Sequence, residues 1–146
     1  MTVEEEKIKD CIDSLKSLDF VRKEYRIKQR NDKELGYIDY AWEGKKNLLV
    51  LFEYEGKQAH PCTNVLKVWP YLEDFPDKKV LLFQYFAERS RESNSSRMRL
   101  AEFLGEKLIN HYKERFKYFP YYGKDESMEH IIGNIKKECE EFIEFT

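Results

Sequence analysis

Apolar residues recur along this chain in two rhythms. Val3, Ile8, Cys11, Ile12, Leu15 and Leu18 return at three- and four-residue steps, which predicts an amphipathic helix over residues 3–18. "FVRKEYRIKQ" (20–29), "GYIDYAWEG" (36–44) and "KNLLVLFEYEG" (46–56) then have strand character, with Asn31-Asp32 and Glu43-Gly44-Lys45 as the turns between them. Three strands with short links predict an antiparallel meander. "TNVLKVWPYL" (63–72) predicts a short helix with Thr63 as N-cap, kinked or ended by Pro70. "KKVLLFQYFA" (78–87) is an apolar run of the kind a buried strand shows. "ERSRESNSSRMR" reads as a polar loop, with Ser95 capping a helix from Ser96 to Tyr112. "FKYFPYY" (116–122) reads as a short strand or extended piece, and residues 127–145 as a final amphipathic helix. The order α-β-β-β-α-β-α-β-α predicts an α/β fold, a mixed sheet covered by helices, in one domain spanning 1–146.

Composition narrows this only a little. A chain of 146 residues with 10 Tyr and 10 Phe can bury a real core, and 6 Gly and 4 Pro are too few for a collagen-like or disordered chain. The longest apolar run, Leu48 to Phe52, is too short to span a bilayer. The start, "MTVEEEKIKD", is charged where a secretory signal would be apolar, so the expectation is a cytoplasmic protein that does not enter the membrane. Cys11, Cys62 and Cys139 are scattered and odd in number, unlike a disulfide framework. His60-x-Cys62 has only the distant His130 and Cys139 to join it, whereas structural zinc sites show two close ligand pairs. The net charge of −2 gives no global signature of nucleic-acid binding and leaves room for a local basic patch.

The chemistry begins at the end of the third strand. Side chains alternate, so Leu49, Leu51, Glu53 and Glu55 share one face while Leu48, Val50, Phe52 and Tyr54 share the other. Two carboxylates at i and i+2 lie about 7 Å apart. Their repulsion is roughly 0.6 kcal/mol in water and roughly 2.4 kcal/mol at an effective dielectric of 20. A half-buried pair therefore needs a cation or a protonated member. If the second and third strands pair, Asp39 falls beside Glu53, and three oxygen-rich side chains would suit Mg²⁺ or Mn²⁺. The alternative is that Asp39 points to water at a strand end.

An acid on the second strand, then acid-x-acid on the third, within α-β-β-β-α-β, resembles the PD-(D/E)XK nuclease superfamily, the restriction-endonuclease-like fold. The resemblance runs over roughly residues 4–112. Ile38 stands where the pattern has Pro before the acid, and Glu55 where it most often has Lys. Some members carry the lysine on the following helix instead. "EYEGKQAHPCTNVLKVW" is similar to that variant, with Asn64 and Lys67 on the helix and Lys57 as the nearer alternative. The resemblance implies a metal-dependent nuclease acting on phosphodiester bonds, of DNA rather than RNA. Asp39 and Glu53 would be the principal metal ligands, Glu55 an auxiliary ligand or base, and Lys67 the positive charge over the reacting phosphate. In some members an acid of the first helix completes the site, for which Glu5 or Glu6 would serve. Small nucleases of this fold often dimerise. Pro76-Asp77 is a literal Pro-Asp, but no acid-x-Lys follows it, and it reads as a turn.

Other residues carry two readings each. His60 would carry protons near a metal or merely pack its loop. Gln84, a lone polar group in an apolar strand, would sit beside the acids or bond within the core. Arg89, Arg91, Arg97 and Arg99 around "SNSS" would grip phosphates or lie along a solvated connection. The aromatics of 116–122 with Lys113, Arg115 and Lys117 would stack bases or cover a sheet edge. A nuclease is thus the leading expectation. A catalytically silent domain of the same fold that binds nucleic acid or protein is the second, and an interaction domain with its acids as surface decoration the third.

Overall fold

In a computed structural model that describes residues 3–13, 21–44, 47–56, 60–123 and 127–144, five strands form one sheet in the order β1-β2-β3-β4-β5. β1 (Val21–Lys28), β2 (Glu34–Glu43) and β3 (Leu48–Glu55) are antiparallel neighbours. β4 (Lys79–Phe86) and β5 (Phe116–Tyr122) run parallel to β3. The β1–β2 turn closes as Asn31-Asp32 predicts, with the Asp32 N–H bonding the Gln29 carbonyl at 3.0 Å and Asp32 at φ +66°. Asp tolerates that left-handed conformation better than most residues.

Parallel neighbours require crossovers. Two crossovers of the same hand, stepping the same way across the sheet, bring their helices to one face. α2 (Pro61–Leu66) and α3 (Val68–Asp74) link β3 to β4, and α4 (Glu88–Tyr112) with a 3-10 turn at Lys113–Arg115 links β4 to β5. Val65, Val68, Leu72, Ala101 and Leu108 from these helices pack on Leu49, Leu51, Val80 and Leu82. The other face buries Leu48, Val50, Phe52, Leu81 and Phe83 under α1 (Val3–Asp13) and α5 (Met128–Glu144), through Ile8, Ile12, Ile131, Ile135 and Cys139. Both central strands are therefore covered on both sides, as their unbroken apolar runs predict. Each large apolar side chain buried this way contributes about 1.5–3 kcal/mol.

Three local departures have physical causes. The helix expected over 63–72 is two helices that break at Lys67, one turn upstream of Pro70. Proline has no N–H for the carbonyl four residues back, and its ring crowds that carbonyl, here Leu66. Pro70 is tolerated only in the first turn of a new helix. Thr63 is not the cap; His60 is, with Pro61 at the first helical position. The polar stretch expected as a loop before Ser96 is helical from Glu88. It holds no Gly or Pro to stop a helix, and its Arg and Glu residues favour one. The first helix is described to Asp13, so Leu15 and Leu18 lie outside the described residues.

α3 is only seven residues long and is held at its C-terminal end by two arginines. Arg30 donates to the Asp74 carbonyl at 2.9 and 3.1 Å, and Arg115 donates to the Leu72 and Phe75 carbonyls at 2.8 and 2.9 Å. Cations bonded to the last carbonyls satisfy orphaned acceptors and oppose the helix dipole. Among the described residues, no helix is long and apolar enough to cross a membrane.

Of the aromatics of 116–122, Phe116, Tyr118 and Tyr121 are buried in β5, while Phe119 and Tyr122 are half-buried against the two cores. β5 is an edge strand, which is where Pro120, lacking an N–H for a further ladder, can sit. Its Tyr118 ring lies against Gly105 of α4, where a Cβ would fall 2.6 Å from Tyr118 Cε2. We expect Gly105→Ala to destabilise the fold by about 1–3 kcal/mol, the usual cost of overpacking. Urea unfolding measures it, and an unchanged midpoint would contradict this packing.

Candidate functional site

The β2–β3 register pairs Tyr40 with Phe52, and one further step along it puts Asp39 opposite Glu53. The Tyr54 N–H donates to Asp39 Oδ2 at 2.8 Å, so Asp39 takes the place of the next backbone acceptor in the ladder. Asp39 is exposed, whereas Glu53 and Glu55 are 3% and 2% exposed, on the same sheet face as α2 and α4. Asp39 thus sits at the mouth of a notch with the two glutamates inside. The notch opens at the carboxyl ends of β3 and β4, the place where open α/β sheets hold ligands.

The electrostatics follow from that depth. Burial pushes the Glu53 carboxyl well above its ordinary value, and the adjoining, hydrogen-bonded Asp39 and the Glu55 charge push it further, with Lys67 opposing. Burial raises Glu55 as well, while hydrogen bonds from Gln84 and Asn64 pull it back; Asp39 adds to the rise and Lys67 opposes it. Glu55 Oε1 accepts from Asn64 Nδ2, and from Gln84 Nε2 at 3.0 Å. Two donors on one oxygen favour the ionised acid. Glu53 differs: its Oε1 is buried and meets no hydrogen-bond donor among the described residues.

Lys67 occupies the break between α2 and α3. Its Nζ donates to the Tyr37 carbonyl on β2 and to Asn64 Oδ1, each at 2.7 Å. Asn64 thereby faces an ammonium with its oxygen and a carboxylate with its nitrogen, and links Lys67 to Glu55. The lysine stem crosses Gly36, where a Cβ would fall 2.6 Å from Lys67 Cε and where φ is +142°. Only glycine adopts that backbone without strain and leaves room for the stem. Gly36 was not singled out by sequence, although a glycine inside a strand pattern is a known sign of close approach.

Asp39, Glu53, Glu55, Asn64, Lys67 and Gln84 are therefore brought together. The other candidates are not. Glu6 is exposed on α1, which packs on the opposite face of the sheet, so the first helix does not complete this site. A helical period shows which side of a helix is buried and not which sheet face it meets. His60 is exposed at the start of α2 and makes no side-chain cap bond. Lys57 and the side chains of Arg89 and Arg91 lie outside the described residues. Arg97 and Arg99 are exposed on α4.

An all-oxygen donor set with one orphaned buried oxygen fits a hard divalent cation. Among the described residues, however, no three His, Cys, Asp or Glu side chains already stand together as a cation cage. Any such ion would take Asp39 and Glu53 first, with the other oxygen of Glu55 turning toward it.

Because native Glu53 keeps its proton to higher pH than the unfolded chain does, folding takes up a proton above the ordinary value of 4.5. Stability contributed by this group is therefore greatest in acid and is lost as pH rises through the native value. We expect Glu53→Gln, which needs no proton to sit beside Asp39, to raise the stability of the metal-free protein near neutral pH and to flatten its pH profile. Denaturant titrations at acid and neutral pH measure both, and a profile unchanged by the substitution would refute it. No protein-family model, curated protein or solved structure matches this chain.

Proposed function

We propose that this protein is a divalent-metal-dependent nuclease of the PD-(D/E)XK type, acting on DNA. The observation that carries the reading is Glu53: a buried carboxylate beside Asp39, with an oxygen that has no donor among the described residues and an ammonium within electrostatic reach. A buried acid in that position is costly unless a cation or proton compensates it. The element order and the antiparallel-then-parallel sheet agree with the resemblance in the sequence.

In this reading Asp39 and Glu53 hold Mg²⁺ or Mn²⁺, which when bound would lower the pKa of a water and polarise the phosphate. Glu55, whose amide donors partly offset the burial that raises its pKa, would accept a proton from the attacking water or add a ligand. Lys67, anchored to Tyr37 and Asn64, places positive charge where the phosphate gains negative charge. DNA would approach the mouth beside Asp39, with the exposed Arg99 as a candidate for backbone phosphates and the exposed Tyr37 and Trp69 for bases.

One observation favours a second reading. Among the described residues, the acids are not preassembled as a three-member cage, and Glu55 is turned to amide partners. A silent domain of this fold that binds nucleic acid or a protein would look the same.

Calorimetry and a plasmid-nicking assay separate the two. We expect Mn²⁺ to bind and to stabilise the fold by about 2.7 kcal/mol at a hundred times its Kd. Glu53→Ala should abolish binding and nicking. Lys67→Ala should keep the metal and lower kcat by about 10²-fold or more. DNA binding without metal that survives Glu53→Ala, with no nicking by the wild type, would favour the silent domain.

A further inference from the structure

Gln84 is fully buried on β4, and its amide is bonded at both ends. Nε2 donates to the Pro61 carbonyl at 2.9 Å and to Glu55 Oε1 at 3.0 Å. Oε1 accepts from the Tyr118 hydroxyl at 2.5 Å. These partners leave no freedom of direction. A backbone carbonyl only accepts, so the nitrogen of Gln84 must face Pro61, its oxygen must face Tyr118, and the phenol must donate. Burial pushes the Tyr118 hydroxyl far up, which keeps it a donor at all working pH. The ring is in turn seated against Gly105 of α4, where there is no room for a Cβ.

We propose that Tyr118 and Gln84 are positioning residues: a buried strut from the edge strand β5, through β4, that fixes the rotamer of Glu55 in the acid notch. The proposal rests on the metal-site reading of that notch and adds residues that touch neither metal nor substrate. Three facts converge on it. The strut ends on the same carboxylate oxygen as Asn64, so Glu55 Oε1 is held from two sides. Its second branch, to Pro61, ties the start of α2, the helix that carries Asn64, to the same amide. And an amide between an acid and a phenol in an otherwise apolar strand brings no packing advantage over leucine, whose burial needs no partners. With Oε1 occupied, the other oxygen of Glu55 is the one left to meet a cation or a water. Partners behind a metal ligand commonly change metal affinity 10–100-fold when removed.

The test uses Tyr118→Phe, which removes one hydroxyl and keeps the ring, and Gln84→Leu, with Gln84→Glu as the variant that keeps an acceptor for Tyr118. Three quantities are read: Mn²⁺ affinity by calorimetry, kcat and KM for nicking, and the side-chain amide signals of Asn64 and Gln84 by NMR. We expect Tyr118→Phe to stay folded, to bind Mn²⁺ about tenfold more weakly, and to lower kcat with KM for DNA unchanged. The Asn64 amide signal should move toward that of a free amide. Gln84→Leu should do the same more strongly, and Gln84→Glu should restore little, because it cannot donate to Glu55 when ionised. Folded variants with wild-type Mn²⁺ affinity, or with an unmoved Asn64 signal, would overturn the strut. A wild type that binds no Mn²⁺ would remove the metal reading; the Asn64 signal in Tyr118→Phe then decides the strut by itself. If any variant fails to fold, the signals of the remaining ones decide.

Discussion

Taking a carboxylate out of water beside a second one is the constraint around which this structure is arranged. At the end of β3, Glu53 and Glu55 are both buried and Asp39 closes over them from β2. In a low-dielectric notch, their mutual repulsion and their lost hydration add together. Every polar group nearby answers some part of that. Asn64 and Gln84 give their amide hydrogens to Glu55, Lys67 supplies charge, and Tyr118 orients Gln84. Among the described residues, Glu53 Oε1 meets no hydrogen-bond partner. A stability-driven sequence would place leucine there, as it does at Leu49 and Leu51 on the same face.

Several devices that look purely structural serve this arrangement. The break at Lys67 is caused by Pro70, and it takes the lysine out of a continuous helix and into a turn above β2. Gly36 clears the way for its stem. Arg30, from the β1–β2 turn, and Arg115, from the turn that leads into β5, clamp the far end of α3, so two short helices with little stability of their own are fixed against the sheet. The basic side chains around the aromatic cluster are thus divided in use, since Arg115 is spent on carbonyls and on the Tyr112 ring.

The strand pattern made much of this legible. Alternation along "LLVLFEYE" puts both glutamates on one face, and a short link between two strands allows Asp39 to fall beside them, although alternation alone leaves open whether it faces the acids or water. The mixed sheet follows from a strand–helix–strand step after a meander. What stayed hidden depends on distance in the chain or on a single backbone conformation. Tyr118 reaches Gln84 only because β5 pairs with β4 across 34 residues, which no local period encodes. Serines and asparagine suggest a loop where the helix from Glu88 runs, while the absence of Gly and Pro is the better guide. The layer on which α1 lies is a tertiary choice, and it removes Glu6 from the acids.

Pro120 has a wider meaning. It lies on the outermost strand, level with Gln84 of the neighbouring strand, in the part of β5 closest to the buried amide. A second polypeptide seeking to add itself to this border would find a missing donor there and a ring that holds it off. The sheet is thereby discouraged from growing on the side whose side chains steady the acids.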